Sequence, residues 1–227
     1  MRKLLLASVL TAAPLLPAYA IQIINDAQTS NNNTVTATEN IADTVTTISI
    51  MGAGVQIAQI DAALGTPIMA FVNLTASSID TATGVGGAIL QHYDGTFSIT
   101  SNADGSGTNY LSGTFTDAAF GAATGDQLSV NVANPPDTLT MTSGVGLPTA
   151  APSSITFAMS NLTSTTPFTG GLQLDTRGAS ATIAPFTASF TDTADASAAI
   201  STPEPASLLV LGTGLFTLGL VRRRRYK

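Results

Sequence analysis

Along the middle of this 227-residue chain, apolar and polar residues alternate. Phe97 and Ile99 are interleaved with Thr96, Ser98 and Thr100, and Leu111, Gly113 and Phe115 with Ser112, Thr114 and Thr116. The same period recurs at Leu128, Val130 and Val132, at Leu139 and Met141, at Ile155, Phe157 and Met159, and at Phe186, Ala188 and Phe190. A period of two puts successive side chains on opposite faces, so each run predicts a strand with one face buried. Threonine on the other face suits a half-exposed pleated surface. Runs at 45–50, 55–60 and 68–74 predict further strands, although 55–64 ahead of Gly65 also fits one short helix with a glycine cap.

Turn residues punctuate these runs: Asp94-Gly95, Asp104-Gly105, Gly125-Asp126, Asn134-Pro135-Pro136-Asp137 and Gly170-Gly171. Short strands at such spacing predict an antiparallel sandwich or barrel. The clearest hairpin joins 97–100 to 110–116 across a Gly/Asn/Asp/Ser loop. The expected fold is an all-β ectodomain, an antiparallel β-sandwich of jelly-roll or similar type. A signal helix precedes it and a single transmembrane helix follows it.

The two ends break the alternation. Met1-Arg2-Lys3 leads into the apolar run Leu4–Leu10, and the segment closes on Ala18-Tyr19-Ala20. A basic start, an apolar stretch too short to span a bilayer and an A-x-A site predict a signal peptide over 1–20. Ala18 and Ala20 supply the small residues that signal peptidase needs, and the mature chain then begins at Ile21. At the other end, Pro203-Glu204-Pro205 precedes sixteen uncharged residues, 206–221, and then Arg222, Arg223, Arg224 and Arg225. As a helix this stretch reaches roughly 24 Å, short of the roughly 30 Å hydrocarbon core. The arginines mark its far side as cytoplasmic. The predicted organisation is a signal peptide (1–20), a β-rich ectodomain (21–193), a small-residue linker (194–202) and a C-terminal segment (203–227) with a transmembrane helix over 206–221.

A Pro-Glu-Pro triplet, a short Leu- and Gly-rich span and a terminal arginine cluster, in that order, resemble the PEP-CTERM sorting signal of Gram-negative bacteria. The resemblance covers about twenty-five residues and none of the ectodomain. It implies recognition of Pro203, Glu204 and Pro205 by a membrane-embedded exosortase, with Arg222–Arg225 as a cytoplasmic anchor. It also implies release to the cell envelope, outer surface or extracellular matrix, often beside exopolysaccharide. Signal peptidase and the export machinery are the other expected partners, and contact with the inner membrane is transient. The two prolines hold the motif extended and open to a protease. Thr202 stands where the family often has Val, and Ala206-Ser207 where it often has Ser-Thr.

Charge sharpens the partition. Seven of the eight basic residues lie in the end segments, and thirteen of the fourteen acids lie between Asp26 and Asp195. In the ectodomain Arg177 alone faces those thirteen acids, which excludes phosphate-backbone binding and hence nucleic acid. There is no cysteine, so no disulfide or thiol chemistry is available.

Candidate chemistry is sparse. His92 is the only histidine, and no G-x-S-x-G accompanies it. Glu39 is the only ectodomain Glu, so nothing marks an acid–base pair for a hydrolase. An enzyme would have to gather two or more Asp around His92 in one pocket. Asn102 to Gly107 opens like a calcium loop, but Gly113 stands where the closing acid belongs, which leaves a plain hairpin loop or a looser surface site. Asn32, Asn73 and Asn161 begin N-x-Thr triplets of the kind that Asn/Thr-rich sequence produces by chance. No cofactor or metal signature appears. The expected function is a structural, non-enzymatic surface or matrix protein; the alternatives are a carbohydrate-binding sandwich and a secreted hydrolase. A carbohydrate platform would have to rest on Tyr93 and Tyr110, the only ectodomain tyrosines.

Overall fold

The computed structural model describes residues 19–29, 34–42, 44–59, 68–85, 88–122, 126–150, 152–192 and 196–200. These residues form strands β1 (Tyr19–Gln28), β2 (Thr34–Asn40), β3 (Val45–Gln59), β4 (Ile68–Ser78), β5 (Thr83–Val85), β6 (Ala88–Thr100) and β7 (Asn109–Gly121). The series continues with β8 (Gln127–Asn131), β9 (Thr138–Thr142), β10 (Pro152–Ser164), β11 (Leu174–Asp175), β12 (Thr182–Ile183), β13 (Phe186–Asp192) and β14 (Ala196–Ile200). No α-helix occurs among the described residues. The predicted signal and transmembrane helices lie outside them, apart from Tyr19 and Ala20, which open β1.

Pairing runs in sequence order and closes on itself. β2 pairs with β3, β3 with β4, β4 with β6, β6 with β7, β7 with β8, β8 with β10, β10 with β13, and β13 returns to β2, every pair antiparallel. Three of these walls consist of two collinear pieces. β1 continues the line of β2 along β3, β9 continues β8 along β7, and β14 continues β13 along β10. The result is an up-and-down closed sheet rather than the crossed connections of a jelly roll. Its opposite faces pack together like a sandwich. Phe97 on β6 meets Phe157 on β10 at 5.5 Å, and Phe120 on β7 stacks on Phe186 of β13 at 5.5 Å. Both pairs join strands that are not neighbours in the ring, so side chains fill the interior.

The alternation read from the sequence accounts for that filling. Phe97, Ile99, Leu111, Phe115, Leu128, Val130, Leu139, Met141, Ile155, Phe157, Met159, Phe186, Ala188 and Phe190 are all buried in one core. Val132 departs from the expectation: β8 ends at Asn131, and Val132 is exposed at the turn that follows. The helix alternative for 55–64 is overturned as far as Gln59, because Val55–Gln59 complete β3 and pair with β4 and β1.

Closure needs strong bending, and bulges supply it. Gly52 in β3, Asp117 in β7 and Asn161 in β10 have positive φ, and register shifts at each. Each bulge changes which parity faces inward: 48 and 50 give way to 53, 55 and 57, and 111 and 115 to 118 and 120. Asp94-Gly95 is therefore a strand segment and not the expected turn. Asp94 pairs with Ser77, and its Oδ1 accepts the Asp117 backbone N–H at 3.0 Å, holding the bulge opposite. Gly95 has no room for a side chain, since a Cβ would lie 2.5 Å from both the Phe115 ring and the Thr75 carbonyl. Of the other predicted turns, Gly125 lies outside the described residues, and the rest fall between strands, as at Asn134–Asp137, where the Asp137 N–H bonds the Asn134 carbonyl at 3.0 Å.

The outer wall carries hydroxyls in cross-strand register. Thr114 and Thr140 meet at 2.7 Å, Thr116 and Thr138 at 2.6 Å, and Ser112 and Thr142 at 3.0 Å. Among the described residues no helix is long and apolar enough to cross a membrane. Residues 196–200, inside the stretch expected to be a linker, form β14, paired with β10 at Pro152↔Ala198 and Ser154↔Ser197. Alanine and serine give no apolar–polar contrast, so the sequence pattern could not show this strand.

Candidate functional site

Strand directions divide the barrel into two ends. At one end lie the β2–β3, β4–β6 and β7–β8 connections, and the 165–185 segment folds over it. Thr46 Oγ1 donates to the Ile183 carbonyl at 2.8 Å, and the Ile183 N–H reaches Gln91 Oε1 at 3.1 Å. Gln91 Oε1 also accepts from the Tyr93 hydroxyl at 3.0 Å, while its Nε2 donates to the Asp80 carbonyl at 2.8 Å. Gln91 is thereby satisfied on both sides although fully buried.

The covering segment is fastened by charge. Glu39 follows Val35 and Ala37 on the inward face of β2 and is the only Glu of the ectodomain. It meets Asp175 of β11 and the ectodomain's one basic residue, Arg177. The side chains of Glu39 and Asp175 are 3% and 0% exposed, whereas Arg177 is 43% exposed. Arg177 Nε bonds both Asp175 oxygens, at 2.9 and 2.7 Å, and its Nη2 reaches Asp175 Oδ2 and, at 3.2 Å, Glu39 Oε2. The Thr182 hydroxyl donates to Glu39 Oε1, and the guanidinium lies 4.8 Å from the centre of the Phe168 ring. Burial, and then the hydrogen bond with Asp175, push the Glu39 carboxyl above its ordinary range. The Arg177 hydrogen bonds hold Asp175 well below its own. Sequence reasoning passed over this cluster, whose two halves lie well over a hundred residues apart. One signal was present: a single arginine in so acidic a domain has a small choice of partners and every reason to be paired.

This arrangement can fasten a loop. It is poorly suited to proton transfer, because both carboxyls are sealed from solvent and already bonded. His92 presents a different geometry. Its Nδ1 lies 2.6 Å from Asp80 Oδ2, and its backbone N–H bonds Asp80 Oδ1 at 2.9 Å. Asp117 is nearby, its carboxyl raised chiefly by desolvation and lowered in part by His92. The adjacent recess, about 190 Å³, is lined by Thr44, Val45, Ser78, Ile79, Asp80, Thr81 and Ser180. Asp80 enters it; His92 and a second carboxylate do not, so the gathering required of an enzyme is not made there.

The 102–107 loop is a self-bonded hairpin turn. Asp104 Oδ1 accepts from the Ser106 N–H at 2.9 Å and the Ser106 hydroxyl at 2.6 Å, which lowers its carboxyl, and Asn102 Nδ2 donates to Ser106 Oγ at 3.0 Å. Among the described residues no three His, Cys, Asp or Glu side chains group to hold a metal ion. Of the two ectodomain tyrosines, Tyr93 is fully buried, edge-on to Phe120 at 6.1 Å, and Tyr110 is half-buried against the core. Pro203, Glu204, Pro205, Arg222, Arg223, Arg224, Arg225 and Ala18 lie outside the described residues, and Ala20 lies in β1.

The recognisable signal lies in the tail. Residues 201–225 match the PEP-CTERM protein-sorting motif, which makes the chain a closed β-domain carrying a C-terminal sorting signal of the kind that exosortases process. The match supports export and a cell-envelope location, and the matched segment is a sorting signal, not itself catalytic. No curated protein and no solved structure matches the chain.

Proposed function

We propose that this chain is an exported, non-enzymatic structural protein of the outer surface or extracellular matrix. Signal peptidase removes 1–20 behind Ala18 and Ala20. The 206–221 stretch then stops transfer as a transient transmembrane helix, with Arg222–Arg225 on the cytoplasmic side. An exosortase recognises Pro203, Glu204 and Pro205, cuts near them and releases the β-domain, in company with exopolysaccharide. The observation that carries this reading is the sorting-motif match at 201–225. The filled interior and hydroxyl-covered wall of the barrel suit a stable, hydrated body. The carbohydrate-binding alternative loses its aromatic platform, because Tyr93 is in the core and Tyr110 is half covered.

The test is an intact mass from the native host, with a tag after Lys227. The expected species is extracellular, begins at Ile21, ends near Pro203–Pro205 and lacks the tag. A full-length tail retained in the inner membrane would overturn the reading.

A further inference from the structure

The barrel's sulfur is all thioether. The chain has no cysteine, and apart from Met1 its methionines are Met51, Met69, Met141 and Met159. They fall into two pairs. Met141 on β9 and Met159 on β10 are 6% and 5% exposed and belong to the core. Met51 on β3 and Met69 on β4 are 84% and 53% exposed.

The backbone sets the second pair outward. Along β3 the register passes from Ile50↔Leu74 to Ala53↔Val72, so Met51 and Gly52 together oppose Asn73. Gly52 has positive φ, and its N–H donates to Asn73 Oδ1 at 2.8 Å. A Cβ on Gly52 would lie 3.0 Å from both Ala103 Cβ and the Ala103 carbonyl oxygen, so the 102–107 loop backs the bulge. Met51 is left on the solvent side of it. Met69 precedes the buried Ala70 on β4 and stands opposite Gln56, which is exposed as well.

A thioether is a two-electron reductant. Its sulfur lone pair attacks one oxygen of hydrogen peroxide. The S–O bond forms as the O–O bond breaks, and the proton on the transferred oxygen goes to the departing hydroxide, which leaves as water. The sulfur becomes a sulfoxide and the peroxide is reduced. Access sets the order of reaction, because a core sulfur meets oxidant only when the fold opens. Charge selects the oxidant: thirteen acids against Arg177 repel anionic oxidants and leave uncharged peroxides unhindered. The product is polar, so it disrupts a core but is solvated on an outer wall.

We infer that Met51 and Met69 form an oxidation site for hydrogen peroxide and other uncharged peroxides, each taking up one oxygen atom ahead of Met141 and Met159. The site lies in the barrel wall and does not depend on the sorting reading.

The test treats the full chain, as isolated from the native host, with hydrogen peroxide and maps the added oxygen by peptide mass. In the folded chain Met51 is expected to react first and Met69 next. Met141 and Met159 should lag by about tenfold or more, the opening of the fold being their route to oxidant. In denaturant the four should react alike. The melting midpoint should hold while the first two oxygens are added and fall when the core sulfurs follow. Met141 or Met159 reacting as fast as Met51 in the folded chain would overturn the inference, as would a midpoint that falls with the first two oxygens.

Met51→Leu with Met69→Leu keeps side-chain volume and removes the outer sulfurs. With peroxide limited to two molecules per chain, this variant should carry severalfold more oxygen on Met141 and Met159 than wild type does. Equal oxidation of the core pair in the two proteins would show that Met51 and Met69 take nothing ahead of it. The wild-type map decides the order of reaction without the variant.

Discussion

The two ends of the barrel are held by different means. At the covered end, Gln91, Tyr93, Thr46, Glu39, Asp175, Arg177 and Thr182 form connected hydrogen bonds and ion pairs beneath the 165–185 segment, with Phe120 and Phe186 stacked in the adjoining core. At the end where β1 begins and β14 finishes, the closing strand reads Ala-Ser-Ala-Ala-Ile and pairs with β10 at Pro152↔Ala198 and Ser154↔Ser197. Directional polar bonds and large rings give one end a single arrangement. The alanine- and serine-rich strand at the other end has less apolar side chain to bury.

The contrast breaks most severely at Phe120. Phe120→Ala removes a ring that touches both Tyr93 and Phe186, and should cost about 3–5 kcal/mol of unfolding free energy, read as a lower denaturation midpoint at unchanged slope. Gln91→Ala comes next. It strands the Ile183 N–H and the Tyr93 hydroxyl, with an expected loss of about 2–3 kcal/mol. It should also bring faster hydrogen exchange across 165–185 than across β6 and β7.

A third test uses pH. Because the Glu39 carboxyl is raised in the fold, its contribution is complete below the ordinary glutamate range and is lost as pH rises through the raised value. Asp175 is depressed, so its contribution is present above the ordinary aspartate range and is lost only as pH falls through the lowered value. Thermal melts from about pH 4 to about pH 8 should show wild type losing stability toward the alkaline side. Glu39→Gln has no proton to lose there, and its profile should be flatter; parallel profiles would remove Glu39 as the cause. The smallest effect belongs to the other end. Ala198→Gly in β14 should cost only about 0.5 kcal/mol, and a loss as large as that of Gln91→Ala would show both ends to be equally fixed.

The sequence showed the strands wherever one face is apolar and the other hydroxylic, as at 96–100, 111–116 and 155–159. It did not show closure. The pairing of β13 with β2 joins residues about 150 apart, and local period carries no information about such a partner. Asp94-Gly95 misled because the same dipeptide serves a tight turn or a crowded strand, and the Phe115 ring and Thr75 carbonyl decide between them. The β14 strand was hidden by its composition. For the site, the sorting tail was legible because its three parts are contiguous. The cluster of Glu39, Asp175 and Arg177 was not, because the fold alone brings its members together.

The line where β1 meets β14 sets how the domain bears load. β1 and β14 are neighbours running in opposite directions, and the start of one lies beside the end of the other. Tension between those two points strains the hydrogen bonds between them in succession, like a zip, and not all at once in shear. Pulled by its termini, the domain yields early and lengthens. Gripped instead by the wall or the covered end, it resists as one body. Attachment by different faces therefore makes either a compliant element or a stiff one of the same chain.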